Sequence, residues 1–108
     1  MNKVENPLNA PTSDSIKNGK LSISEVSDSG ITVKFSSDNP KVDIHLAWIG
    51  YASKKKSEQK GSKNNELILP VSKATVKSWL GLDLYAQCEA TLGEKKHSSP
   101  KMFFTVVA

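Results

Sequence analysis

Val42-Asp43-Ile44-His45-Leu46-Ala47-Trp48 is the stretch on which the fold turns. Its apolar residues recur at every second position, the period of a strand with one buried face. Val42, Ile44, Leu46 and Trp48 are therefore expected to face a core together. A second stretch of the same kind runs from Leu82 to Ala90. There Leu82, Leu84, Ala86, Cys88 and Ala90 are expected inward, and Asp83, Tyr85, Gln87 and Glu89 outward.

Strand signals continue on both sides of these two stretches. Leu21-Ser22-Ile23-Ser24 alternates, Asp28-Ser29-Gly30 is a turn signal, and Ile31-Thr32-Val33-Lys34-Phe35 alternates again with Ile31, Val33 and Phe35 on one side. The expectation is two strands joined by a tight turn. Residues 53–65 are almost wholly polar, so they form a hairpin or an edge excursion with a mobile tip, whose charges discourage edge-to-edge pairing. Glu66-Leu67-Ile68-Leu69-Pro70 reads as a short strand stopped by proline. Ser72 to Leu80 can make one or two helical turns, with Val76 and Leu80 in an i, i+4 relation and Gly81 as the stop. Such a segment suits a crossover between two sheets. Gly93 to Pro100 reads as a polar turn. In the closing strand Met102, Phe104 and Val106 face inward, and Phe103 is presented beside them. Residues 1–19 hold isolated Val4, Leu8 and Ile16 in a polar background, which reads as a flexible arm or linker. The folded unit is then residues 20–108, an all-β antiparallel sandwich with one helical crossover.

Composition narrows the function classes. A chain of 108 residues fills one core. No apolar run approaches the roughly 20 residues of a bilayer span, so no membrane insertion is expected. The start Met1-Asn2-Lys3-Val4-Glu5 lacks the apolar region of an export signal. Such a start suits a cytoplasmic protein, a phage particle component, a piece of a longer exported chain or signal-independent export, so localisation stays open. The net charge of +4 rests on lysine alone, because the chain has no arginine. Arginine supplies the fork that grips phosphate and guanine, so nucleic acid is not an expected partner. Lys54, Lys55 and Lys56, with Lys60 and Lys63 nearby, read as a solvated segment that holds phosphate weakly at best. Cys88 is the single cysteine, so no internal disulfide forms.

Trp48 near the end of one alternating strand, with Cys88 forty residues on inside another, resembles an immunoglobulin-type sandwich without its disulfide. Further residues resemble the immunoglobulin-like repeats of large bacterial surface and secreted proteins, the kind found in tandem in invasin-like adhesins and in some phage structural proteins. They are Pro11 after Leu8-Asn9-Ala10, Asn18-Gly19-Lys20-Leu21, Ile31-Thr32-Val33, Leu46-Ala47-Trp48-Ile49-Gly50, Leu69-Pro70-Val71, Leu80-Gly81, and Ser98-Ser99-Pro100 before Phe104-Thr105-Val106-Val107. These are scaffold positions and carry no ligand-binding residues. The resemblance implies an antiparallel immunoglobulin-like β-sandwich on an extracellular or particle surface, working in adhesion or protein binding. The lysine-rich 53–65 segment departs from it, having few of the threonines usual in such repeats.

Candidate sites are few. His45 is expected on an outward face and His97 in a loop, and no set of ligands at metal-binding spacing accompanies them, so no metal or cofactor is expected. Asp83 and Glu89 share a face but sit about 20 Å apart along a strand, too far for paired acid and base work. Cys88 points inward and no serine sits at a strand-to-helix elbow, so no enzyme is expected. Trp79 either caps the core from the crossover or protrudes as an aromatic anchor. In immunoglobulin sheets the strands that hold Ile49 and Tyr85 are neighbours, so with Phe103 these residues make an outward apolar stripe. That stripe is either a protein-binding site, with Lys54, Lys55 and Lys56 steering the partner, or a surface covered by the arm or the crossover. Two other expectations are carried with it. One is a carbohydrate-binding module stacking a sugar on Trp79 or Tyr85, and the other a small toxin-like or inhibitory protein that masks another protein.

Overall fold

The computed structural model describes residues 6–61 and 64–108. In chain order they form β1 (Ile16–Lys17), β2 (Lys20–Ser22), a turn of 3-10 helix (Ile23–Glu25), β3 (Ile31–Ser36), β4 (Asp43–Tyr51), β5 (Lys54–Lys60) and β6 (Glu66–Val71). Then come α1 (Lys73–Ser78), β7 (Asp83–Leu92), β8 (Lys95–Ser98) and β9 (Met102–Val107). A large sheet has the order β1-β2-β9-β7-β4-β5, with β8 on β7, and a small sheet pairs β3 with β6. The all-β expectation holds. Pairing is antiparallel with one exception, β2 against β9, where Leu21 runs beside Val106 in a parallel register.

The core lies between the sheets. Ile31, Val33 and Phe35 of β3 are buried while Thr32 and Lys34 between them are exposed. Opposite them Leu69 and Val71 of β6 are buried, and β7 contributes Leu84, Ala86, Cys88 and Ala90 from the large sheet. Period-2 patterning drives this arrangement, because a strand with one apolar face gains stability only by covering it.

Several expectations need correction. Leu21 and Ile31 do not belong to one hairpin: β2 joins the large sheet and β3 the small one, with the 3-10 turn and buried Val26 carrying the chain across. Gly30 makes that crossing tight. Its φ is 83°, and a Cβ there would fall 2.1 Å from the Val71 carbonyl oxygen, so only glycine fits. The expected arm is on the body from Asn6 onward. Leu8 is 3% exposed in the core, Asn9 donates to the Ser36 carbonyl at 2.9 Å, and Thr12 and Lys34 exchange backbone hydrogen bonds of 3.0 and 2.7 Å. Polar composition misleads here because one buried leucine and a line of backbone hydrogen bonds suffice to hold a segment against β3. Residues 1–5 of that arm lie outside the described residues.

The segment 53–65 is an edge, because β5 pairs with β4 alone, and Ser62 and Lys63 within it lie outside the described residues. Pro70 does not end β6; it lies inside the strand opposite Thr32. The expected polar turn after Gly93 includes β8, where His97 pairs with Ala90. The crossover helix forms as expected, with Ser72 Oγ accepting from the Thr75 N–H at 3.2 Å as its cap. Val76 in the helix and Trp79 at its C-cap are buried, whereas Leu80 is 55% exposed. The helix ends at Ser78, and Gly81, at φ 83°, turns the chain so that its N–H donates to the Val106 carbonyl.

Candidate binding face on the large sheet

A β-bulge decides what this face carries. On β4, Ile44 pairs with Ala90 and Leu46 pairs with Glu89, so His45 is passed over. One unpaired residue exchanges the two faces of everything that follows it. Val42 and Ile44 therefore point into the core as expected, but beyond His45 the core residues are Ala47 and Ile49. Ile49, expected in the outward stripe, is fully buried. Leu46 and Trp48, expected to face the core, turn to the outer face instead, where Leu46 is half-buried and Trp48 is buried all the same. Trp48 lies opposite Gln87 and Glu58, and it is Ala47 that lies opposite Cys88. His45 itself is half-buried. The bulge is braced by Gly61, whose N–H donates to the His45 carbonyl at 3.0 Å, and a Cβ on Gly61 would fall 1.9 Å from the Ile44 oxygen.

Trp79 is only 4% exposed and belongs to the core cluster, so it is not a surface anchor. Tyr85 and Phe103 do meet on the outer face, as neighbours across β7 and β9. Their ring centroids are 6.3 Å apart and tilted by 54°, within the range of favourable edge-to-face packing. Phe103 is 67% exposed. Tyr85 also lies opposite Gly50 of β4, and its ring occupies the space where a Gly50 side chain would be. Its hydroxyl donates to the Ala52 carbonyl at 3.4 Å.

Lysines lie on these rings. Lys101 Nζ is 4.5 Å from the Tyr85 centroid, and Lys55 Nζ is 4.8 Å from that of Trp48. Lys56 stands 5.9 Å from the Tyr51 ring, at a second bulge where Ile49 pairs with Ser57 and Gly50 with Lys55. Lys54 is opposite Tyr51, and Lys54, Lys55 and Lys56 are all exposed. Each ammonium over a ring contributes about 0.5–1 kcal/mol at an exposed site.

Between the Gly19 turn and the Ala52 turn the face sinks into an open groove of about 540 Å³, with Tyr85 and Phe103 along it and Asp83 and Lys101 at its sides. Asp83 Oδ1 accepts from the Thr105 hydroxyl at 2.5 Å. Gly50, Lys101 and the outward Trp48 are the members of this face that the strand pattern did not single out. Gly50 carried a signal of its own, a glycine inside an apolar strand, which marks a bulge or a close approach. Nothing local marked Lys101.

Other chemistry is sparse. Cys88 is fully buried, and desolvation raises its thiol pKa, partly offset by hydrogen bonding to Ser99. Its N–H donates to Ser99 Oγ at 3.0 Å, and the Ser99 N–H donates back to the Cys88 carbonyl. Among the described residues no three His, Cys, Asp or Glu side chains gather as metal ligands. No helix among them is long and apolar enough to cross a membrane.

Comparison with protein-family models, with curated proteins and with solved structures gives no significant match.

Proposed function

We propose that this chain is a non-catalytic immunoglobulin-like module that binds another protein through the outer face of its large sheet. The exposed Phe103, packed against Tyr85 at the centre of that face, is the observation that carries the reading. Exposed aromatics on a small domain mark interfaces, and aromatic residues dominate binding hot spots. Tyr85 adds to it because Gly50 beneath and Lys101 above hold its ring before any partner arrives, which lowers the ordering cost of binding.

The strand order supports the immunoglobulin-like part of the proposal. β2, β9, β7, β4 and β5 in one sheet, β3 with β6 in the other and a helical turn between β6 and β7 are compatible with that architecture. A bacterial or phage surface is the setting that the sequence resemblance adds. The carbohydrate-binding alternative loses one of its two stacking residues, since Trp79 lies in the core. A small inhibitory protein would use the same face, so it differs in the partner and not in the mechanism.

Affinity capture on the immobilised protein tests the reading, using the natural chain beside the double variant Tyr85→Ser, Phe103→Ser. The expected result is one protein retained by the natural chain at low salt and lost by a variant that melts at a closely similar temperature. The same proteins captured by both would refute this face as the binding surface.

A further inference from the structure

We infer that the groove beside Tyr85 and Phe103 takes an extended acidic segment of a partner protein, with one large apolar side chain on the two rings and carboxylates on the surrounding lysines. This inference rests on the protein-binding reading above and names what the face recognises.

Charge is the first argument. Lys101 sits over Tyr85 and Lys55 over Trp48, while Lys20 pairs in register with Thr105 at the Gly19 end of the groove. Ion pairs among the described residues join Lys34 to Glu66 and Lys73 to Asp28, and neither pair belongs to this face. Lys20, Lys55 and Lys101 thus have no carboxylate partner among the described residues. The acids beside these lysines, Asp83 in the groove and Glu58 opposite Trp48, are fewer than Lys20, Lys55 and Lys101, which leaves the local excess positive. A ligand that brings carboxylates completes these contacts.

Shape is the second argument. The groove is open to solvent and its lining reaches from Gly19 to Ala52, which leaves room for a chain segment crossing β9 and β7. Its apolar floor is one exposed ring beside one half-exposed ring, room for a single large side chain. Asp83 keeps a second oxygen for an N–H of that chain, a donor that a phosphate backbone does not offer. Nucleic acid is further disfavoured because Trp48 is only 6% exposed, which leaves Phe103 as the one freely exposed ring of this face, too few for successive bases. A second copy of this chain is disfavoured by sign, since two such faces would set lysine against lysine.

The test is selection of a random-peptide display library on the immobilised full chain, counter-selected on Phe103→Ser. Affinities of the enriched peptides are then read by fluorescence anisotropy at low and high salt, with a labelled single-stranded oligothymidylate as control. The expected peptides carry several Asp or Glu residues around one large apolar residue. Their affinity should fall about tenfold or more at high salt, and by a similar factor in Lys55→Gln, Lys101→Gln, whose melting temperature stays close to that of the natural chain. Enriched peptides that depend on Phe103 yet are neutral or basic, or that bind the lysine variant unchanged, would overturn the acidic ligand and leave the binding face intact. Failure to enrich any Phe103-dependent peptide would overturn both. Oligothymidylate binding more tightly than every enriched peptide would overturn the inference in favour of a nucleic-acid ligand.

Discussion

The ring of Tyr85 fills the place of the side chain that Gly50 lacks. A Cβ built on Gly50 would come within 2.3 Å of Tyr85 Cζ and 2.5 Å of its hydroxyl oxygen. Because the two residues are directly paired across β4 and β7, the glycine fixes where the aromatic lies. The wall of the groove is thus positioned by a residue that contributes no atoms of its own to it.

Gly50→Ala should therefore act on the site more than on the fold. The clash is with the far end of a side chain that can rotate away, so the stability loss should stay near 1 kcal/mol or below, while Tyr85 loses its contact with Ala52 and its lysine. Gly30→Ala is the contrast. There the obstacle is the Val71 backbone oxygen at 2.1 Å and the φ is positive, so a loss of about 1–3 kcal/mol or more is expected. Urea denaturation of both variants, with the Tyr85 ring resonances followed by NMR in Gly50→Ala, checks the pair.

The β4 bulge makes Ile49 a core residue. Ile49→Ala should cost about 2–5 kcal/mol, the range for truncating a fully buried aliphatic side chain. Phe103→Ser, at an exposed position, should cost only about 0.5 kcal/mol. Equal losses in denaturation midpoint would contradict the face assignment.

The two tryptophans should respond oppositely to local change. Lys55→Ala uncovers Trp48, so emission should shift to longer wavelength with a stability loss of about 1 kcal/mol or less. Trp79→Ala empties a core position next to Val76 and should cost about 3–5 kcal/mol. Fluorescence spectra together with thermal melts distinguish the two.

Segment 6–12 should matter to stability. Leu8→Ala is expected to cost about 2–5 kcal/mol, because the side chain sits in the core cluster. Hydrogen exchange should also show slow exchange at the Asn9 and Thr12 amides, which bond to β3. Fast exchange at both would show that the segment does not hold to the body.

Cys88 sets an alkaline limit. Its folded pKa is raised by burial, so the unfolded chain ionises first, near its ordinary pKa of about 8.5. The stability contribution is complete below that pH and is lost as pH rises toward the folded value, with a slope of at most about 1.4 kcal/mol per pH unit. Cys88→Ala should remove that part of the slope in denaturation curves taken between neutral and alkaline pH. In the natural chain iodoacetamide should label the thiol only as fast as the protein opens.

Where alternation was unbroken, the sequence carried the fold by itself. The inward set of β7, the inward set of β3, and Phe104 and Val106 of β9 follow from period 2, because a strand's side chains must alternate and apolar ones are stable only when covered. The crossover helix was legible for a similar reason: Gly81 is a local stop signal. The core role of Ile49 and the outward turn of Trp48 were not, because the bulge at His45 is created by pairing with β7 and by the approach of Gly61, and neither is local to β4. The same holds for the partners of β2 and β3, whose strand character is local but whose sheet membership depends on residues far along the chain. Tyr85 and Phe103 could be named from the sequence as outward residues. That Gly50 would orient one, that Lys101 and Lys55 would lie over rings, and that Trp79 would be withdrawn into the core were decided by tertiary contacts, which alone determine what stands next to what.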